Sequence, residues 1–127
     1  MTSSRPARGD TLLARFREAS ASFYRPRACS ADLLLQFGDV AVIARVRDGR
    51  VAQIVDQRVP LQSWDFAVKG SENGWDQFWQ KFPPAGWHDI LALNKRREFS
   101  IEGNLHPLMS HLQFYKDLLA CAREGTT

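Results

Sequence analysis

The chain has 127 residues, 44% hydrophobic and 24% charged, a balance that suits one globular domain with a sizeable core. It holds no apolar run near the roughly 18 residues needed to span a bilayer, and no continuous apolar stretch near its start like that of a secretory signal. The pI of 9.2 is a local property: residues 1–28 carry six arginines against Asp10 and Glu18, while the remainder holds 11 basic and 12 acidic groups, too little concentrated charge for nucleic acid.

Met1–Gly9 is polar, with Pro6 and Gly9, and reads as a disordered basic tail ahead of a single domain over residues 10–127. Such a tail suits transient contact with an anionic membrane surface. Asp10 is placed to cap a first helix whose buried face is Leu12, Leu13, Phe16, Ala19 and Phe23. Arg15 and Arg17 then point elsewhere, and Pro26 ends the element. Cys29 and Cys121 lie far apart with no CxxC pair, as expected of two free thiols in a reduced, cytoplasmic setting.

A strand-rich block follows. Asp32–Phe37 is a short apolar run closed by Gly38-Asp39, and Val40–Arg47 is rich in β-branched residues. Asp48-Gly49 is the strongest hairpin signal in the chain, because both central positions of a type I′ turn need positive φ. Arg50–Asp56 is the returning arm, and Pro60 breaks the run. Ser63–Lys69 alternates, with Trp64, Phe66 and Val68 expected inward and Asp65, Ala67 and Lys69 outward. With Glu98–Gly103 this gives about five strands in a mainly antiparallel sheet, an α+β fold covered by helices.

Between the fourth and fifth strands, Ser71 caps a helix on which Trp75, Phe78, Trp79 and Phe82 fall at i, i+3, i+4 and i+7. Pro83-Pro84-Ala85-Gly86 breaks it. A shorter helix carries Trp87, Ile90 and Leu91 on one side and Lys95-Arg96-Arg97 near its end. After Phe99 and Ile101, Gly103 permits a sharp exit and Asn104 suits an N-cap. Leu105, Leu108, Met109, Leu112, Tyr115, Leu119 and Ala122 then recur at spacings of three and four, the apolar face of one helix of about five turns.

Taken in order, three segments resemble the sterol carrier protein type two family of lipid-binding domains: Val46-Arg47-Asp48-Gly49-Arg50-Val51, Phe66-Ala67-Val68-Lys69-Gly70-Ser71 and Phe99-Ser100-Ile101-Glu102-Gly103-Asn104. The resemblance runs from Ala28 to Arg123. It implies a five-stranded sheet under helices with an apolar tunnel between the layers. It further implies binding, without chemistry, of a sterol-like, fatty acyl, phospholipid or quinone ligand. The tryptophan-rich helix and the Pro-Pro-Ala-Gly-Trp-His segment depart from the family pattern.

The expected ligand-binding residues are Phe66, Val68, Trp75, Phe78, Trp79, Phe82, Trp87, Ile90, Leu91, Phe99, Ile101, Leu108, Met109, Leu112 and Tyr115. The aromatic stripe among them serves equally as plain core. An apolar lining needs no conspicuous polar site, since each buried CH₂ of an alkyl ligand contributes about 0.8 kcal/mol. No enzyme, cofactor or metal site is expected. No HExxH, GxSxG, Walker or GxGxxG pattern occurs. His106 and His111 fall about 140° apart on a helix, His88 reads as cap or surface, and Cys121 sits where the helix dipole opposes a thiolate. The alternative is a protein-interaction or homodimer module on the same fold, its cavity closed and its tryptophans, Trp79 and Trp87 above all, on the partner surface.

Overall fold

The computed structural model describes residues 8–26, 28–56, 63–80, 90–95 and 98–123. Five strands, β1 (Ala31–Phe37), β2 (Val40–Arg47), β3 (Arg50–Asp56), β4 (Phe66–Gly70) and β5 (Phe99–Gly103), form one sheet in the order β3-β2-β1-β4-β5. The helices are α1 (Arg8–Ala21), α2 (Glu72–Phe78), α3 (Ile90–Lys95), α4 (His106–Ser110) and α5 (Leu112–Leu119). Three of the four strand pairings are antiparallel, and β1 with β4 is parallel. This is the expected α+β architecture.

The hairpins follow from their turn residues. Asp48 and Gly49 both have positive φ, 51° and 85°, which matches the right-handed twist of the arms. Gly38, at φ 64°, closes the tight β1–β2 connection in which Phe37 faces Val40. The apolar run of β1 is explained by its central place, with both faces covered. Leu33, Leu35 and Phe37 enter the main core, while Leu34 joins Ile43 and Ala67 in a small cluster on the opposite face.

That second cluster corrects the alternation expected across Ser63–Lys69. The strand begins at Phe66, and Trp64 packs with Leu34, Ile43 and Ala67 rather than beside Phe66 and Val68. The cause is a bend at Asp65. Its amide donates to the Asp32 carbonyl (2.8 Å) and its carboxylate accepts from the Asp32 amide (2.8 Å), so the pleat does not extend back to Trp64. Asp32 in turn holds Arg45 at 2.8 Å and Arg47 at 3.0 Å, on the side of the sheet away from the main core.

The first helix starts at Arg8, ahead of the Asp10 cap expected of it, so Gly9 belongs to the helix and not to the tail. The Gly9 amide is satisfied from outside, by the Glu72 carboxylate at 3.0 Å. The tail residues 1–7 lie outside the described residues. Ser71 caps α2 as expected, its Oγ accepting from the Gly74 amide at 2.9 Å.

The largest departure is in the C-terminal segment. One five-turn helix was the expectation; two helices meet at His111, whose φ of −134° and ψ of 48° interrupt the ladder. The break turns the buried face. Leu108 is buried on α4, while Leu105 and Met109 are 36% and 51% exposed; on α5 the buried residues are Phe114, Tyr115, Leu118 and Leu119. Asn104 is not the N-cap expected of it: Leu105 holds that position without a side-chain cap, and the Asn104 Oδ1 instead accepts from the His106 amide at 3.1 Å.

Candidate functional site

The expected ligand-lining residues converge to a large degree. Phe66, Val68, Trp75, Phe78, Trp79, Ile90, Phe99, Leu108 and Tyr115 are buried in one apolar cluster between the sheet and the helices, and Ile101 and Leu112 pack against it half-buried. Met109 stands outside it. Phe82, Trp87 and the side chain of Leu91 lie outside the described residues. Sequence reasoning left Phe37, Leu93, Phe114 and Leu118 out of this set. Phe114 and Leu118 are four apart and adjacent to the pair Tyr115 and Leu119, a signal that was present but assigned to the wrong helical phase.

The aromatic stripe of α2 is the centre of the cluster. The Trp75 and Trp79 rings lie 5.1 Å apart; Trp75 meets Phe99 edge-on at 4.8 Å, and Trp79 stacks on Phe16 at 6.5 Å with 7° between planes. Both indole donors are spent inside the fold. Trp75 Nε1 donates to the Gln36 carbonyl and Trp79 Nε1 to the Leu119 carbonyl, each at 2.7 Å. A partner surface built on Trp79 is therefore not what the fold presents, since that ring is fully buried.

Arg15 corrects another expectation. Rather than pointing away, it lies 5.3 Å from the Trp79 ring centroid and donates to the Ala122 carbonyl at 2.9 Å. Arg123 donates to the Phe78 carbonyl at 3.0 Å and sits over that residue's ring. With no basic residue in its own last turn, α2 has its C-terminal end served by cations from distant elements.

Two described clefts open at the margin of the apolar cluster, reaching Phe99 in one and Ala122 in the other. One, of about 360 Å³, is lined by Gln36, Lys69, Ser71, Glu98 and Ser100 among others; the second, of about 240 Å³, runs along Arg15, Glu18, Cys121 and Arg123. The second, mainly polar, does not match an oily ligand. On the edge near the first, Ser100 and Lys69 hydrogen bonds hold the Glu102 carboxyl below its usual range. No group of three or more metal-ligating side chains occurs among the described residues. His106 is exposed, with Nε2 3.4 Å from Ser110 Oγ; His111 sits at the helix break, and His88 lies outside the described residues.

Burial pushes the Cys121 thiol up to about 12, opposed by a backbone hydrogen bond and, less, by Arg25. Desolvation is the largest cause. Two results follow. Iodoacetamide at pH 8 is expected to label denatured protein quickly and native protein slowly at this position. The raised folded value also means that the thiol's contribution to stability is intact below the unfolded pKa of about 8.5. It is then lost as pH climbs toward the folded value. Denaturation midpoints measured from pH 8 to 11 check this against Cys121→Ser.

One buried group differs from the rest. The Tyr115 ring stands edge-on to Phe66 at 5.3 Å and to Phe114 at 5.0 Å. Its hydroxyl is buried and has no hydrogen-bond partner among the described residues. Burial, with smaller effects from Cys29 and Asp65, holds that phenol protonated well above its usual range.

A five-stranded mixed sheet with one apolar face under helices is an α+β fold shared with a solved sterol-carrier-like structure. A solved structure described as the ubiquinone synthesis protein UbiJ-SCP2 is similar over 88% of this chain and 95% of its own, at 11% identity and a TM-score of 0.54. A sterol carrier protein 2 from Yarrowia lipolytica, in its apo form, aligns over 94% of this chain and 82% of its own, at 12% identity and a TM-score of 0.44. At such identity the first likeness establishes the fold alone. No protein-family model and no curated protein matches the chain. Among the described residues, no helix is long and apolar enough to cross a membrane.

Proposed function

We propose that this protein binds a hydrophobic ligand between its sheet and its helices and carries or presents it without altering it. The observation that carries this reading is the joint between two short helices over a closed, wholly apolar layer. The short helix α4 buries Leu108 but leaves Leu105 and Met109 in solvent, and it joins α5 through the non-helical His111. An exposed apolar step beside a helix joint is a suitable place for an oily chain to enter, and Met109 is an adaptable side chain for such a rim. The fold shared with UbiJ-SCP2 supports the same reading. The tunnel implied by the resemblance would form where the aromatic cluster and α5 now meet. Fatty acyl, sterol-like, phospholipid and quinone ligands all remain within this class. The cytoplasm is the proposed compartment, in keeping with two free thiols, and the basic residues at the start of the chain would favour brief contact with anionic membrane.

The test is organic extraction of the natively purified protein followed by mass spectrometry, paired with titration by a fluorescent fatty acid after delipidation. Co-purifying lipid and saturable micromolar uptake are the expected results. A clean extract together with no uptake removes the carrier reading.

A further inference from the structure

We propose that the Tyr115 hydroxyl is the polar anchor of the ligand site, donating a hydrogen bond to an uncharged acceptor oxygen, such as a ketone or ester carbonyl, of a lipid held between β4 and α5. This rests on the carrier reading and narrows it to lipids with a neutral oxygen at their buried end.

The interior satisfies its other polar groups. Both buried indoles find backbone carbonyls at 2.7 Å. Asp32 Oδ1, a buried oxygen without a well-oriented hydrogen bond, still has Arg47 Nη1 at 3.0 Å. Tyr115 Oη has neither, although the residue is 0% exposed. A hydroxyl left unpaired in an apolar interior is costly, and a phenylalanine would fill the same ring space without that cost. A group kept at such expense is best explained by a partner that arrives later.

The position fits. Tyr115 reaches from α5 to Phe66, the first residue of β4, so it spans the two layers. Its amide donates to the His111 carbonyl at 3.1 Å, which places it one turn beyond the junction of α4 and α5. The chemistry of the partner follows from the surroundings. A phenol held protonated by burial is a donor, so the partner supplies an acceptor. A carboxylate would bring an unpaired charge into the apolar cluster, which is far more expensive than a neutral carbonyl.

The test compares two competitors of equal chain length, 2-tridecanone and n-tridecane, displacing a fluorescent fatty acid from the native chain and from Tyr115→Phe. The variant is expected to lose about five- to tenfold in affinity for the ketone, the size of one hydrogen bond. Affinity for the hydrocarbon should not change. The ligand-free variant should also melt at a higher temperature than the parent, because the orphan hydroxyl is gone. Equal ketone affinity in the two proteins overturns the anchor and leaves the carrier reading standing, as does a lower melting temperature for the variant. A native chain that takes up neither competitor nor probe overturns both.

Discussion

Trp79→Ala is expected to lose about 3–5 kcal/mol of stability, the range for removing a fully buried large aromatic. That is a large share of the roughly 5–15 kcal/mol that holds a domain of this kind together. Three contributions add to the loss. The ring is fully buried and fills the space between Phe16, Phe37 and Trp75. Its indole satisfies the Leu119 carbonyl at 2.7 Å, near the end of α5. It also gives Arg15 a face to rest on, and Arg15 ties α1 to the Ala122 carbonyl. Urea unfolding of parent and variant measures the difference. Trp79→Phe separates the causes, since it keeps most of the apolar area but orphans the carbonyl, at about 1–3 kcal/mol. The same pair bears on the interaction-module reading. A surface tryptophan would cost little stability and change the oligomeric state; an interior one does the reverse. Unchanged stability with a shifted elution volume would restore the partner-surface role.

What could be read in the sequence was local. Asp48-Gly49 and Ser71 carry their own geometry, because positive φ and a side-chain cap are decided within three or four residues. The three segments that carried the family resemblance became the β2–β3 turn, β4 and β5. The parts that were not legible depend on partners far along the chain. Arg15 looked like a solvated charge on an amphipathic helix, and its role comes from α2 and from Ala122, 107 residues away. Trp64 looked like the start of an alternating strand, and it was turned to the other face by a bend whose hydrogen bonds go to Asp32. The C-terminal helix failed for a different reason. A run of apolar residues at spacings of three and four fits a continuous helix well enough that a phase change at one residue is invisible. The pair Phe114 and Leu118 was the only trace of it. The candidate site was legible as a set of large apolar residues that come together. Its one polar feature was not, because the isolation of a hydroxyl is a property of the surroundings and not of Tyr115.

The exit from β5 supplies the second large effect. Gly103→Val is expected to cost about 3–5 kcal/mol, from strain and overpacking together. Gly103 has φ 94°, a region that side-chain-bearing residues rarely adopt. A Cβ there would lie 2.7 Å from the Asp65 carbonyl oxygen and 2.8 Å from the Trp64 ring. The tryptophan can shift, but the carbonyl cannot, because it accepts from the Asn104 amide at 2.7 Å while Asp65 is tied to Asp32 through both its amide and its carboxylate. The clash therefore falls on the point where three strands are pinned together, and relief would have to move the end of β5. That shift would pass directly to α4, whose first amide is held by Asn104. Thermal melting should show a fall on the order of 10 °C or more, taking about 3–5 °C per kcal/mol for a domain between the two size classes. Gly103→Ala should retain most of the loss, since the backbone strain and the contact with Asp65 are already present with a single methyl. If the alanine variant melts with the parent, the backbone at this exit is freer than its geometry requires, and the pinning of α4 to the sheet edge is wrong.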